Sequence, residues 1–236
     1  MRPNSSDISF NLFGFPTFIQ PFFWVVAALI TALHLGGIND MPLWIAQVFV
    51  GMAAILLSIL IHELGHALTF RYLFRTPCII VLHGFGGMAV PQQQYRRSVG
   101  FSGAAAESFL AFSGPLAGFL LAFAAIMLYR IVPANHDGLA FFLLNYFLVW
   151  TMWISIVWGI FNLLPIYPMD GGHIARAACV FFFPLRGVEV SLVLSMMCAA
   201  LLIALALQMG LIFVAFFLAY FAYQNYQEWS ARSFGR

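Results

Sequence analysis

The chain has 236 residues, 63% hydrophobic and 8% charged, where a soluble domain carries about one-quarter charged residues. That balance excludes a soluble globular protein and predicts an integral membrane protein with most of its length in the bilayer. The net charge is +2 without a single lysine, so there is no basic stripe for nucleic acid. The three scattered cysteines, Cys78, Cys179 and Cys198, give neither a disulfide framework nor a CxxC metal knuckle.

Residues 1 to 19 mix polar and aromatic side chains and lack the charged start and short apolar run of a cleaved signal peptide. The first apolar segment, about Phe22 to Leu35, is therefore expected to be a retained span. A second segment runs from Pro42 to about Phe74, a third from about Ala104 to Val132 and a fourth from Leu139 to Leu164. A short apolar piece, Ile174 to Phe183, follows "PMDGGH". The last runs from Val188 to about Tyr226, as one helix or as two broken near Gly210. A spanning helix needs roughly 20 residues. The expected fold is all-α and polytopic, with about five to six transmembrane helices. The stretch "PCIIVLHGFGGMAVP" is β-branched and Gly-rich, so a small membrane-associated β-hairpin region is expected at about 78–92. The whole of 1–236 reads as one membrane domain with its core at 42–183.

Arg71, Arg75, Arg96 and Arg97 crowd the connection between the second and third segments, and the loops 36–41 and 133–138 hold no arginine. The positive-inside rule puts the 71–98 connection in the cytoplasm. Arg176 and Arg186, after the fourth segment, agree. Arg232 and Arg236 disagree if the last segment spans once.

"HELGH", residues 62 to 66, ends a greasy run. Ionisable groups in a membrane helix cost a few kcal/mol each unless they are used or paired. On a helix, His62 and His66 stand one above the other on one face. Two such imidazoles suit one Zn²⁺ per chain, with Glu63 beside them as general base. Gly65 thins the helix face next to them. A catalytic zinc needs a third protein ligand and an open fourth position. The candidates are Glu107, Asp170, His34, His83, His136 and His173. Asp170 stands out by its setting in "NLLPIYPMDGGH", where Pro165 and Pro168 break a helix at about 162–173. His62 lies about 30 Å along a helix begun near Pro42, at the cytoplasmic edge of the hydrocarbon. The two motifs are thus expected at one depth.

"HELGH" followed by "NLLPIYPMDGG" resembles the site-2 protease family of M50-type intramembrane zinc metalloproteases. The resemblance implies His62, His66 and Asp170 as zinc ligands and Glu63 as base. It also implies Asn162 as a contact to substrate or intermediate. "SGPLAG", 113 to 118, resembles a further family segment through Gly114 and Pro115, with Gly118 at a position where the family has Asn. "HGFGG", 83 to 87, resembles the family's Gly-rich β region and makes Gly86 and Gly87 candidate contacts. The chain looks like a minimal member without PDZ or CBS domains.

The function so implied is intramembrane endopeptidase, hydrolysing bonds within or next to transmembrane segments in regulated intramembrane proteolysis. Its partners would be a transmembrane protein substrate, the lipid bilayer and a possible separate regulatory or presenting protein. The location would be a prokaryotic cytoplasmic membrane, with the site near the cytoplasmic side. The competing expectation is a non-proteolytic metal-binding protein or transporter using the same ligands, although its polar groups would be spread through the bilayer rather than gathered at one depth.

Overall fold

The computed structural model describes residues 6–35, 40–92, 101–131 and 138–234. Arg96, Arg97, His136 and Arg236, used in the sequence reading, lie outside the described residues. The chain starts with two strands, β1 (Ile8–Leu12) and β2 (Phe15–Ile19), and the helix α1 (Pro21–Leu35) follows. Next come α2 (Met41–Tyr72), β3 (Cys78–His83) and β4 (Gly86–Pro91). The remainder is helical: α3 (Phe101–Ile131), α4 (Leu139–Asn162), α5 (Asp170–Phe182), α6 (Gly187–Gln208) and α7 (Ile212–Phe234). Among the described residues, α2, α3 from Ser102, α4 and α6 are long and apolar enough to cross a membrane. At 1.5 Å per residue, α1 and α5 rise only about 20 Å, short of the roughly 30 Å hydrocarbon core.

The described residues fall into two compact units. One is drawn from Met1–Tyr95 and Ser113–Gly159. Its sheet has the order β1-β2-β3-β4, with antiparallel β1–β2 and β3–β4 pairs and a parallel β2–β3 pair bridged by α1 and α2. The expected hairpin at 78–92 is therefore present as β3–β4, and a second hairpin extends it. Pro16 hides that second hairpin in the sequence, because proline cannot donate to a ladder. It sits opposite Asn11 of β1, outside the Thr17–Ile19 stretch that pairs with β3. The β1–β2 turn is Phe13-Gly14, with φ of 49° and 84°, the positive pair that a two-residue hairpin turn demands.

Helix α2 starts under Asp40, whose carboxylate accepts the Leu43 N–H at 3.2 Å, with Pro42 in the first turn where its missing N–H costs nothing. At 32 residues it is about 48 Å long. Its last turn carries Arg71, whose two terminal nitrogens donate to the Phe13 and Gly14 carbonyls at 2.8 Å each. The same guanidinium lies 3.5 Å over the Phe15 ring. Farther up, Ser155 Oγ donates to Ser58 Oγ at 3.1 Å and Ser58 Oγ to the Thr151 carbonyl at 3.4 Å. These buried hydroxyls let α2 and α4 approach closely, as small polar residues do in lipid.

The other unit is drawn from Arg96–Phe112 and Ile160–Arg236. Here the last apolar stretch resolves into two helices, α6 and α7, which pack on each other across a break at Gly210 (φ 72°). Leu192, Ala199 and Leu218 are fully buried between helices. The hairpin also corrects the single-span worry over Arg232. Arg176 of α5 pairs with Glu228 at 3.3 Å and Glu228 with Arg232 at 3.1 Å, so the end of α7 returns to the end of the unit where α5 lies.

Candidate metal centre

His62, Glu63 and His66 are all buried on α2. The helical repeat brings the two imidazoles together with Nε2 atoms 3.3 Å apart and ring planes at 79°. Both rings therefore offer the same nitrogen to one point. Gly114 of α3 forms the wall opposite. A Cβ there would lie 2.6 Å from His66 Cε1 and 2.8 Å from His62 Nε2, and closer still to His66 Nε2. The approach is possible because α2 is bare at Gly65: a Cβ there would run into the Ser113 carbonyl oxygen and come within 2.9 Å of Ala117 Cβ. Pro115, inside α3, has no N–H to give the carbonyl one turn back.

Glu63 reaches the sheet. A Cβ on Gly87 would lie 2.7 Å from Glu63 Cδ and Oε1 and would strike Cγ. Gly86, before it in the turn (φ 128°), lies under the Trp158 indole, whose Cζ2 would be 2.6 Å from a Cβ there. In the same turn the Phe85 N–H donates to His83 Nδ1 at 3.2 Å, and burial pushes the His83 pKa below its ordinary 6.5.

Asp170 opens α5. It sits in the first turn, where a carboxylate is favoured by the helix dipole. The chain enters it through a tight loop in which Ile166 N bonds the Leu164 carbonyl at 2.7 Å and Met169 N the Ile166 carbonyl at 2.8 Å. Gly171 and Gly172 are needed because that loop folds over them. A Cβ at Gly171 would meet the Leu163 carbonyl, and one at Gly172 would lie 2.6 Å from the Ile166 oxygen. Asn162 is half-buried at the end of α4.

Among the described residues, His62, His66 and Asp170 are the group that could hold a metal ion. Two imidazoles and a carboxylate are a zinc donor set that leaves a fourth position open. Only the bare backbone of Gly114 leaves the two imidazole nitrogens unobstructed, since a Cβ there would strike His66 Nε2. On both counts the residues fit a metal. Sequence reasoning missed the roles of Gly114, Trp158 and Arg71. The Gly-Pro pair inside an apolar helix was the one available signal.

Peptidase family M50 matches residues 131–205, the stretch that contains Asp170. Zinc metalloprotease MJ0392 of Methanocaldococcus jannaschii is 27% identical over 176 residues, 74% of this chain and 45% of that protein. Stage IV sporulation protein FB of Bacillus subtilis is 32% identical over 158 residues, 66% of this chain and 45% of that protein. Putative zinc metalloprotease Rip3 of Mycobacterium tuberculosis is 28% identical over 163 residues, 37% of its length. The chain thus spans less than half the length of these curated relatives. The solved site-2 protease from Methanocaldococcus jannaschii shares the fold, with a TM-score of 0.59 at 21% identity, over 94% of this chain and 95% of that one. With these likenesses and its apolar helices, the chain is an integral membrane protein that is similar to peptidase family M50 and shares the fold of a solved site-2 protease.

Proposed function

We propose that this protein is an intramembrane zinc endopeptidase that hydrolyses peptide bonds within or next to transmembrane segments of other membrane proteins, in regulated intramembrane proteolysis. The observation that carries this reading is the pair of imidazole Nε2 atoms 3.3 Å apart on α2, beside the buried carboxylate of Glu63. His62, His66 and Asp170 would hold one Zn²⁺. A bound zinc supplies Lewis acidity and makes water a nucleophile near neutral pH.

Glu63 acts as the base. Its carboxylate takes a proton from the attacking water and returns it to the leaving amine nitrogen. A transmembrane substrate hides its carbonyls in helical hydrogen bonds, so it must be unwound before attack. β4 is one of the two outer strands of the sheet, and Gly87 of β4 lies against Glu63. An unwound segment added to that edge would bring main chain close to the base. Gly86 and Gly87 would contact the substrate there, and Asn162 would contact the substrate or the intermediate. The arginines at the end of α2 support a site near the cytoplasmic side of a prokaryotic cytoplasmic membrane. A separate membrane protein would present or regulate the substrate.

The test compares wild type with Glu63→Gln on a screen of transmembrane substrates, alongside metal analysis. Zinc at one per chain in both, with cleavage lost about 10²–10⁴-fold in the variant, is expected. Undiminished cleavage by the variant sinks the assignment of Glu63. Zinc without any hydrolysis by wild type would instead indicate a non-proteolytic metal protein.

A further inference from the structure

Tyr167 lies three residues before Asp170 and is gripped by three helices. Its N–H donates to Ser195 Oγ of α6 at 3.2 Å, and Ser195 in turn donates to the Ser191 carbonyl at 2.9 Å. Its ring is faced by the Arg176 guanidinium at 3.7 Å and edged by the His173 ring at 4.9 Å, both from α5. Its carbonyl accepts from Asn225 Nδ2 of α7 at 2.6 Å.

Asn225 is the unexpected member. It is 1% exposed, on a helix that contributes no residue to the metal group. Its second amide proton goes to the Phe221 carbonyl one turn back, at 2.7 Å. Both donors are thus committed, and they fix the side chain between two carbonyls. Its Oδ1 is buried with no hydrogen-bond partner. An amide whose acceptor is left unmatched costs more in an apolar interior than a leucine of similar shape. Packing alone therefore does not account for asparagine here. The loop it holds is otherwise seated by greasy contacts: Ile166 and Met169 pack with Ala199 and Leu218. Such contacts have no direction, whereas the Asn225 bond fixes the rotation of the Tyr167 peptide.

We propose that Asn225 is a positioning residue: through Tyr167 it sets the path of the Ile166–Met169 turn, and so the point from which Asp170 enters α5. This inference rests on the reading of Asp170 as a zinc ligand. The test is Asn225→Leu in the full chain, with two measurements. The first is amide hydrogen exchange of the 163–169 segment against that of α6 and α7. The second is the chelator concentration that removes half the zinc.

The expected result is faster exchange confined to 163–169, a chelator midpoint lowered about 10–100-fold and an unchanged unfolding temperature. Wild-type exchange in 163–169 together with a wild-type midpoint overturns the inference. If Asn225→Leu fails to fold, Asn225→Asp, which keeps the shape but neither amide donor, is read the same way. A wild-type protein that holds no zinc overturns the metal reading, while the exchange measurement still decides whether Asn225 orders the turn.

Discussion

The carboxylate of Glu63 rests directly on the backbone of Gly87: a single added carbon on that glycine would lie 2.7 Å from both Cδ and Oε1. A helix side chain and a strand backbone are in contact where the proposed base would work. The first prediction follows from it. Gly87→Ala should push Glu63 aside and lower kcat about a hundredfold, since roughly 1 Å of misplacement costs that much. Zinc content should stay at the wild-type value. A variant that cleaves at the wild-type rate would show that Glu63 does not depend on this contact.

Gly114→Ala should separate helix stability from metal binding. Alanine favours a helix interior by about 1 kcal/mol over glycine, which offsets part of the roughly 1–3 kcal/mol that an overpacked methyl costs. The added methyl would lie 2.8 Å from His62 Nε2 and nearer to His66 Nε2. Zinc affinity, read by chelator competition, should fall about 10–100-fold while the protein stays folded. Unchanged affinity would place the ion away from the α3 face.

Phe13 adopts φ 49° while 75% exposed. A side chain that prefers negative φ is held there without packing in return. Phe13→Asn should stabilise the β1–β2 hairpin by about 0.5–1 kcal/mol, seen as slower amide exchange over residues 8–19. Arg71→Ala removes both donors to the turn and should loosen the same segment by about 1–3 kcal/mol. Opposite signs from two ends of one contact make this pair hard to satisfy by accident.

The Cys78 thiol is 3% exposed, and burial pushes its pKa up from 9.0 to about 11, against the opposing pull of Arg71. Burial of the neutral thiol thus contributes stability that is fully present below pH 9.0 and lost as the pH rises through about 11. Near pH 8 the thiolate fraction should be roughly a hundredfold below that of a free thiol. Alkylation of the folded protein should be correspondingly slow and recover on denaturation. Equal rates before and after unfolding would contradict it.

The histidines, Glu63 and Asp170 could be picked out because ionisable groups are rare in lipid segments, and two motifs placed them at one depth. The hairpin at 78–92 was visible for its β-branched and glycine composition. β1 and β2 were not, because Pro16 and an exposed first strand erase the alternating pattern that marks a half-buried strand. Arg71 registered only as one positive charge among several, since its use as a double donor depends on a turn 57 residues away. Asn225 gave no signal, for nothing local distinguishes a buried amide from one in water.

Three residues around the histidines and Glu63 matter through what they lack. Gly65, Gly87 and Gly114 each let a neighbour pack against bare backbone where even one methyl would clash: the Ser113 backbone, Glu63 and the two imidazoles. An alanine scan is designed to delete atoms and score the loss. At these positions it does the reverse and adds one. Read as truncations, the three results would look paradoxical; read as insertions, they trace how closely the chain packs around the two imidazoles and Glu63 where side chains are absent. A library that adds carbon, from glycine through alanine to serine, is the scan that would measure that closeness.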